Sequence, residues 1–168
     1  MKSLVFTAIG PDRPGIVDEL SSVINANGGN WLESRMARFC GQFAGIVRIE
    51  CEESQSDVLL NALKDIKRLN LVTTDPEDQC PLPNETVTLE LVGLDHPGIL
   101  SEISRALAKH SVNVEKLHTE CISAPMGGGS LFKATAVIGL PEDVKLNDLK
   151  GQLEQIAADL MVDLKIGR

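Results

Sequence analysis

Two short stretches of the chain each place an acid, a base, a proline and a glycine in succession before an apolar run. Asp12, Arg13, Pro14 and Gly15 form the first, inside GPDRPGIVDEL (residues 10–20). Asp95, His96, Pro97 and Gly98 form the second, inside GLDHPGILSEI (residues 93–103). Proline suits the first position of a helix, because its φ is preset and its missing N–H would be orphaned there anyway. A glycine next to it lets another group approach the helix start. The free amides of that first turn, with the positive end of the helix dipole, favour an anion. An aspartate just ahead accepts a hydrogen bond from an ammonium group. Donors for a carboxylate beside an acceptor for an ammonium fit a zwitterionic amino acid. The same pattern also has a purely structural use, since an aspartate two residues before a proline commonly turns the chain or caps a helix.

Further polar candidates follow each loop. Asn30 and Asn113 open the strand that comes after each helix, where they can bind ligand or simply turn the chain. Arg13 and His96 hold the same place in the two loops, as surface residues able to lean over a ligand. The three histidines, His96, His110 and His118, form no recognisable set with a nucleophile, although His118 and Glu120 are two residues apart on one predicted strand. No phosphate-binding loop, nucleophile elbow or zinc spacing is present. The sequence therefore calls for no catalytic group, no cofactor and no metal.

These loops belong to a repeat. Ile9–Met36 aligns without a gap on Val92–Thr119, at an offset of 83 residues. Identities fall at Gly10/Gly93, Asp12/Asp95, Pro14/Pro97, Gly15/Gly98, Ile16/Ile99, Glu19/Glu102, Ser21/Ser104 and Asn30/Asn113. The fold is therefore read one unit at a time. SLVFTAI is a strand, and Ile16, Val17, Leu20, Val23 and Ile24 recur at helical spacing. WLESRMARF and FAGIVRIEC are strands joined by a CGQ turn. Val58, Leu59, Ala62, Leu63, Ile66 and Leu69 predict a second helix, and LVTT closes the unit. The order β-α-β-β-α-β then recurs, with TVTLELV, a helix through Ile99 and Leu107, VNVEKLHTECI, SLFKATAVI, a helix from Leu146 to Leu160, and VDLKI. The predicted class is α+β: two tandem ferredoxin-like units with antiparallel sheets and both helices on one face. Their boundaries are 1–75 and 86–168, with a proline-rich linker at 76–85. One difference stands out: the second hairpin carries an inserted loop, Met126–Gly129, which either admits a ligand or is a flexible tip.

Bulk properties narrow the function classes. The 168-residue chain is 43% hydrophobic and carries a net charge of −8, so a phosphate backbone or an anionic membrane repels it. The nearest approach to a basic cluster, Lys64–Leu69, reads as a solvated helix face. The expectation is a folded cytoplasmic protein with no direct nucleic-acid contact and no membrane span. Cys40, Cys51 and Cys121 fall in apolar strand patterns and are expected to be buried, whereas Cys80, in the linker, is expected to be exposed.

The motifs D-R-P-G-I-V…G-G-N and D-H-P-G-I-L…V-N-V resemble those of ACT domains, small regulatory modules. Two longer stretches, Gly28–Ile49 and Ala124–Pro141, carry a more specific likeness to the glycine cleavage system transcriptional repressors among them. That resemblance implies two side-by-side units that bind a small ligand, glycine or a similar amino acid, between domains. The implied contacts are Asp12, Arg13, Pro14 and Gly15 with Asn30, and Asp95, His96, Pro97 and Gly98 with Asn113. It further implies a homodimer that represses by contacting a transcriptional activator of glycine cleavage genes. The alternatives are a dimerisation module with vestigial ligand loops, and an enzyme.

Overall fold

The computed structural model describes residues 1–74, 83, 85–125 and 128–167. The chain divides into two compact units, Met1–Cys80 and Pro81–Arg168. Most of the linker predicted at 76–85, including Cys80, and the first half of the Met126–Gly129 loop lie outside the described residues.

The first unit runs β1 (Lys2–Pro11), α1 (Ile16–Ala26), β2 (Asn30–Phe39), β3 (Gln42–Cys51), a 3-10 turn (Glu53–Gln55), α2 (Ser56–Lys64) and β4 (Asn70–Thr74). The second runs β5 (Glu85–Leu94), α3 (Ile99–Lys109), β6 (Asn113–Ser123), β7 (Ser130–Leu140), α4 (Leu146–Asp159) and β8 (Val162–Gly167). Each sheet has four strands, in the orders β2-β3-β1-β4 and β6-β7-β5-β8, and every pair is antiparallel. This is the predicted βαββαβ arrangement, given twice. The duplication extends to a bulge near the start of the edge strand, between Trp31 and Glu33 in β2 and between Val114 and Lys116 in β6.

Strand alternation sets which face is covered. Leu4, Phe6 and Ala8 of β1 point to the helices, as do Val47 and Ile49 of β3. They meet Ile16, Leu20 and Ile24 of α1 and Leu59 and Leu63 of α2 in one apolar cluster. Burying each of the Leu, Ile, Val and Phe side chains contributes about 1.5–3 kcal/mol. The second unit repeats the scheme with Val87, Leu89 and Leu91 against Ile99, Ile103, Leu149 and Leu153.

Three local expectations are corrected. The helix predicted to carry Ile66 and Leu69 ends at Lys64, and those two residues are buried in the turn after it. Val58, assigned to the apolar stripe, is 54% exposed. Of the cysteines expected inside, only Cys51 is buried; Cys40 sits in the β2–β3 turn and Cys121 on the edge strand, both exposed. Cys40 and Gly41 both have positive φ (48° and 76°), as a two-residue primed hairpin requires, and such a turn projects into solvent.

Candidate functional site

The two loops are built alike. The amide of Asp12 donates to Gly41 O (2.9 Å), and that of Asp95 to Ser130 O (2.8 Å), so each aspartate is anchored to the neighbouring hairpin. The second anchor survives the inserted loop, whose base is closed by Ala124 N donating to Gly129 O (2.8 Å).

Pro14 and Pro97 were expected at the first helical position. Instead each helix begins two residues later, at Ile16 or Ile99, and the glycine between takes the N-cap place. Gly15 (φ 88°) and Gly98 (φ 104°) adopt the left-handed conformation, which a side chain disfavours. A Cβ on either would meet nothing within 4 Å, so the glycine serves the backbone and also leaves open space beside it. Gly10 and Gly93, identical in the repeat, have a different reason. A Cβ on Gly10 would stand 2.2 Å from Arg68 O, and one on Gly93 would stand 2.5 Å from a Val162 methyl. The turn two residues before β4 packs directly on Gly10, and the first residue of β8 packs directly on Gly93.

The N-cap places of α1 and α3 are held by Gly15 and Gly98, and among the described residues no side-chain cap is made there, so Asp12 and Asp95 are not the N-caps. The first-turn amides are left for another acceptor. The aspartates turn elsewhere. Asp12 forms an ion pair with Arg38 Nε at 2.8 Å, and Arg13 pairs with Glu19 of the first helical turn. In the second unit the residue equivalent to Arg38 is Cys121, whose thiol lies in the field of the Asp95 carboxylate. Desolvation by neighbouring atoms, then the Asp95 carboxylate, push the Cys121 thiol pKa up. Among the described residues no ion pair joins Asp95. His96 replaces Arg13 and bonds differently, with Nδ1 3.1 Å from Pro97 O and Nε2 3.0 Å from Leu160 O. Two carbonyl acceptors call for two N–H donors, which only the imidazolium supplies. The Leu160 carbonyl, then that of Pro97, raise the His96 pKa; desolvation opposes them, and the nearby Asp95 charge adds to the rise. His96 thus ties the loop to the C-terminal end of α4.

Asn30 and Asn113 lie away from their own loops. Asn30 pairs with Glu50 across the sheet, beside Ser3, whereas the loop leaves β1 after Pro11. Eight residues of strand separate the two ends, roughly 26 Å at about 3.3 Å per residue. Asn30 Nδ2 donates to Glu50 (3.0 Å), and Asn113 Nδ2 to Glu115 (2.7 Å). The loop–asparagine pairing implied by the resemblance is therefore not made within one unit. Sequence reading missed Arg38, Cys121, Glu19 and Leu160 as partners of the loops. Extending the 83-residue offset along β2 and β6 would have brought out the Arg38/Cys121 position. His118 and Glu120 do share one sheet face, opposite Thr135 and Lys133 of β7.

The two units match models of the ACT domain at residues 2–75 and 87–146. The chain belongs to the ACT-domain family. ACT domains are regulatory, non-catalytic modules that bind small molecules, and this chain carries two in tandem. It is 31% identical over 75 residues to the UPF0237 protein MK1213 of Methanopyrus kandleri, covering 44% of this chain and 77% of that one. A structure described as an unknown protein from Galdieria sulphuraria superposes with a TM-score of 0.88 at 26% identity, over 98% of this chain and 96% of its own. A second structure, provisionally described as a glycine cleavage system transcriptional repressor, gives a TM-score of 0.76 at 22% identity, over 99% and 96%. Both share the fold of this chain along nearly its whole length.

Proposed function

We propose that this tandem ACT protein senses an amino acid and regulates transcription through a protein partner. The observation that carries the reading is the duplicated loop, in which uncapped helix amides stand beside an anchored aspartate. The amides suit a carboxylate and the aspartate suits an ammonium. Asp12, Arg13, Pro14 and Gly15, and Asp95, His96, Pro97 and Gly98, are the loop contacts. Asn30 and Asn113 complete a site where a second copy of the chain brings them to a loop, which favours a homodimer.

The finer reading is repression of glycine cleavage genes through a transcriptional activator. The role described for the second structural relative supports it, as do the sequence stretches at 28–49 and 124–141. A net charge of −8 disfavours direct DNA binding. A protein partner has a surface to meet: the open face of the first sheet presents Ile9, Ile46 and Val72, which are 46%, 54% and 64% exposed. Thr7 lies opposite both Ile46 and Val72, so these two flank it in one row. Coupling between ligand and partner must be reciprocal.

One observation favours a structural role for the first loop. The Asp12 charge is already met by Arg38, and the Arg13 charge by Glu19. In that reading only the second loop keeps its ligand function.

Thermal denaturation with each common amino acid tests the proposal. A ligand at a hundredfold excess over its Kd adds about 2.7 kcal/mol, which raises Tm by a few degrees. No shift at millimolar concentration would remove the sensing role. Tight, sequence-specific promoter binding by this protein alone at physiological salt would remove the partner-mediated one.

A further inference from the structure

The second unit holds an apolar cavity of about 160 Å³ between α3 and the edge strand β6. Its walls include Leu100 and Ile103 of α3, Val114 and Leu117 of β6, and Ala134 and Ala136 of β7. The one polar side chain among its lining residues, Ser104, already donates to Ser101 O at 3.1 Å. The rim is open, with Leu100, Val114 and Leu117 at 38%, 38% and 49% exposure.

The repeat shows what such a space holds when the protein fills it. The first-unit counterpart of Val114 is Trp31, and that of Thr119 is Met36. Trp31 and Met36 face the helices and pack on the core, Met36 with its Cγ 2.8 Å from where a Cβ on Gly45 would stand. Val114 and Thr119 face the same way, opposite Ile138 and Ala134, but are shorter. On the floor, Ala136 stands where the first unit has Val47. The added bulk of Leu91, Leu100 and Leu117, against Ala8, Val17 and Ser34, lies around the cavity and makes its wall more aliphatic. Protein interiors are otherwise close-packed. An apolar space of this size accepts a benzene-sized group.

We infer that this cavity takes the side chain of a free amino acid with a branched aliphatic or aromatic side chain, its polar head group remaining at the rim. The inference rests on the amino-acid-sensing reading above and narrows its ligand class for the second unit. Glycine has no group to place there.

The test uses the full chain, with benzene, L-leucine, L-phenylalanine and glycine as probes, and NMR of the Ala134 and Ala136 methyl groups as readout. Benzene and leucine or phenylalanine should shift both methyls saturably, and glycine should not. Val114→Trp copies the first unit at a position with the same bulge, and should weaken leucine binding by roughly tenfold or more. Ala136→Val, which restores the counterpart of Val47, is the second variant should the tryptophan disturb folding. Benzene binding without any apolar amino acid overturns the assigned ligand class. Glycine stabilising the protein while leucine leaves the methyls unmoved overturns this inference and leaves the sensing role standing. Methyl shifts that follow protein concentration alone assign the cavity to a second copy's side chain and overturn it as well. If no amino acid binds at all, the sensing role fails with it.

Discussion

At the first loop Asp12 faces Arg38 and Arg13 faces Glu19, so each charge meets its opposite. At the second, Asp95 meets the thiol of Cys121, and His96 meets two carbonyl oxygens. The backbone is the same in both, down to the left-handed glycine and the amide anchored on the hairpin. Glu19 and Glu102 are identical in sequence, yet one closes on the loop and the other on Arg105 of its own helix. Duplication has kept what the backbone needs and has let the charges diverge. One position on the edge strand, Arg38 or Cys121, separates a compensated aspartate from one that remains available.

The largest effect should come from the feature the loops share. Gly10→Ala and Gly93→Ala force a Cβ against backbone or a packed valine, and should each destabilise by about 3 kcal/mol in urea denaturation. Equal losses in both units would establish the close approach as common scaffold; a negligible loss in either would break the equivalence. Gly15→Ala and Gly98→Ala meet no neighbour and carry only backbone strain, so about 1–2 kcal/mol is expected of each.

His96 should give the second unit a pH dependence the first lacks. Folding raises its pKa above the ordinary 6.5, so protonation favours the folded state. Its contribution is complete below pH 6.5 and is lost as the pH rises through the raised value. Tm measured across that window should fall for the native protein and stay flatter for His96→Gln. An unchanged slope would show that the two carbonyl contacts do not hold the imidazolium. The Cys121 thiol supplies a gentler probe. Asp95→Asn removes the charge that helps to keep it protonated, so alkylation of Cys121 at pH 8 should accelerate, with Cys40 as internal control. The smallest effect belongs to Arg38→Ala. Arg38 is 75% exposed at its side chain, and such pairs contribute about 0–1 kcal/mol.

The elements that position the loops were legible because the repeat stated them twice. A helical stripe such as Ile16, Leu20 and Ile24 is local, and so is the alternation of Leu4, Phe6 and Ala8. The loop itself was legible by residue type but not by conformation. Nothing in D-x-P-G distinguishes a proline at the first helical position from one followed by a left-handed glycine. Ile66 and Leu69 kept helical spacing past the helix end because a buried turn also needs apolar side chains. The partners were the least legible, since Asp12–Arg38 and His96–Leu160 span 26 and 64 residues and depend on strand register and helix ends. The asparagines misled through proximity in sequence: β2 begins at the end of the sheet opposite its own loop.

The most direct test is a calorimetric titration of amino acids into the native protein, Asp12→Ala and Asp95→Ala. Binding should be lost by roughly tenfold or more in Asp95→Ala, the magnitude of a charged hydrogen bond, about 1.5–3 kcal/mol. Asp12→Ala should lose less, because Arg38 already occupies that carboxylate. An equal loss in both variants would contradict the asymmetry of the loops, and binding unaffected by either would contradict the assignment of the loops as the amino-acid site.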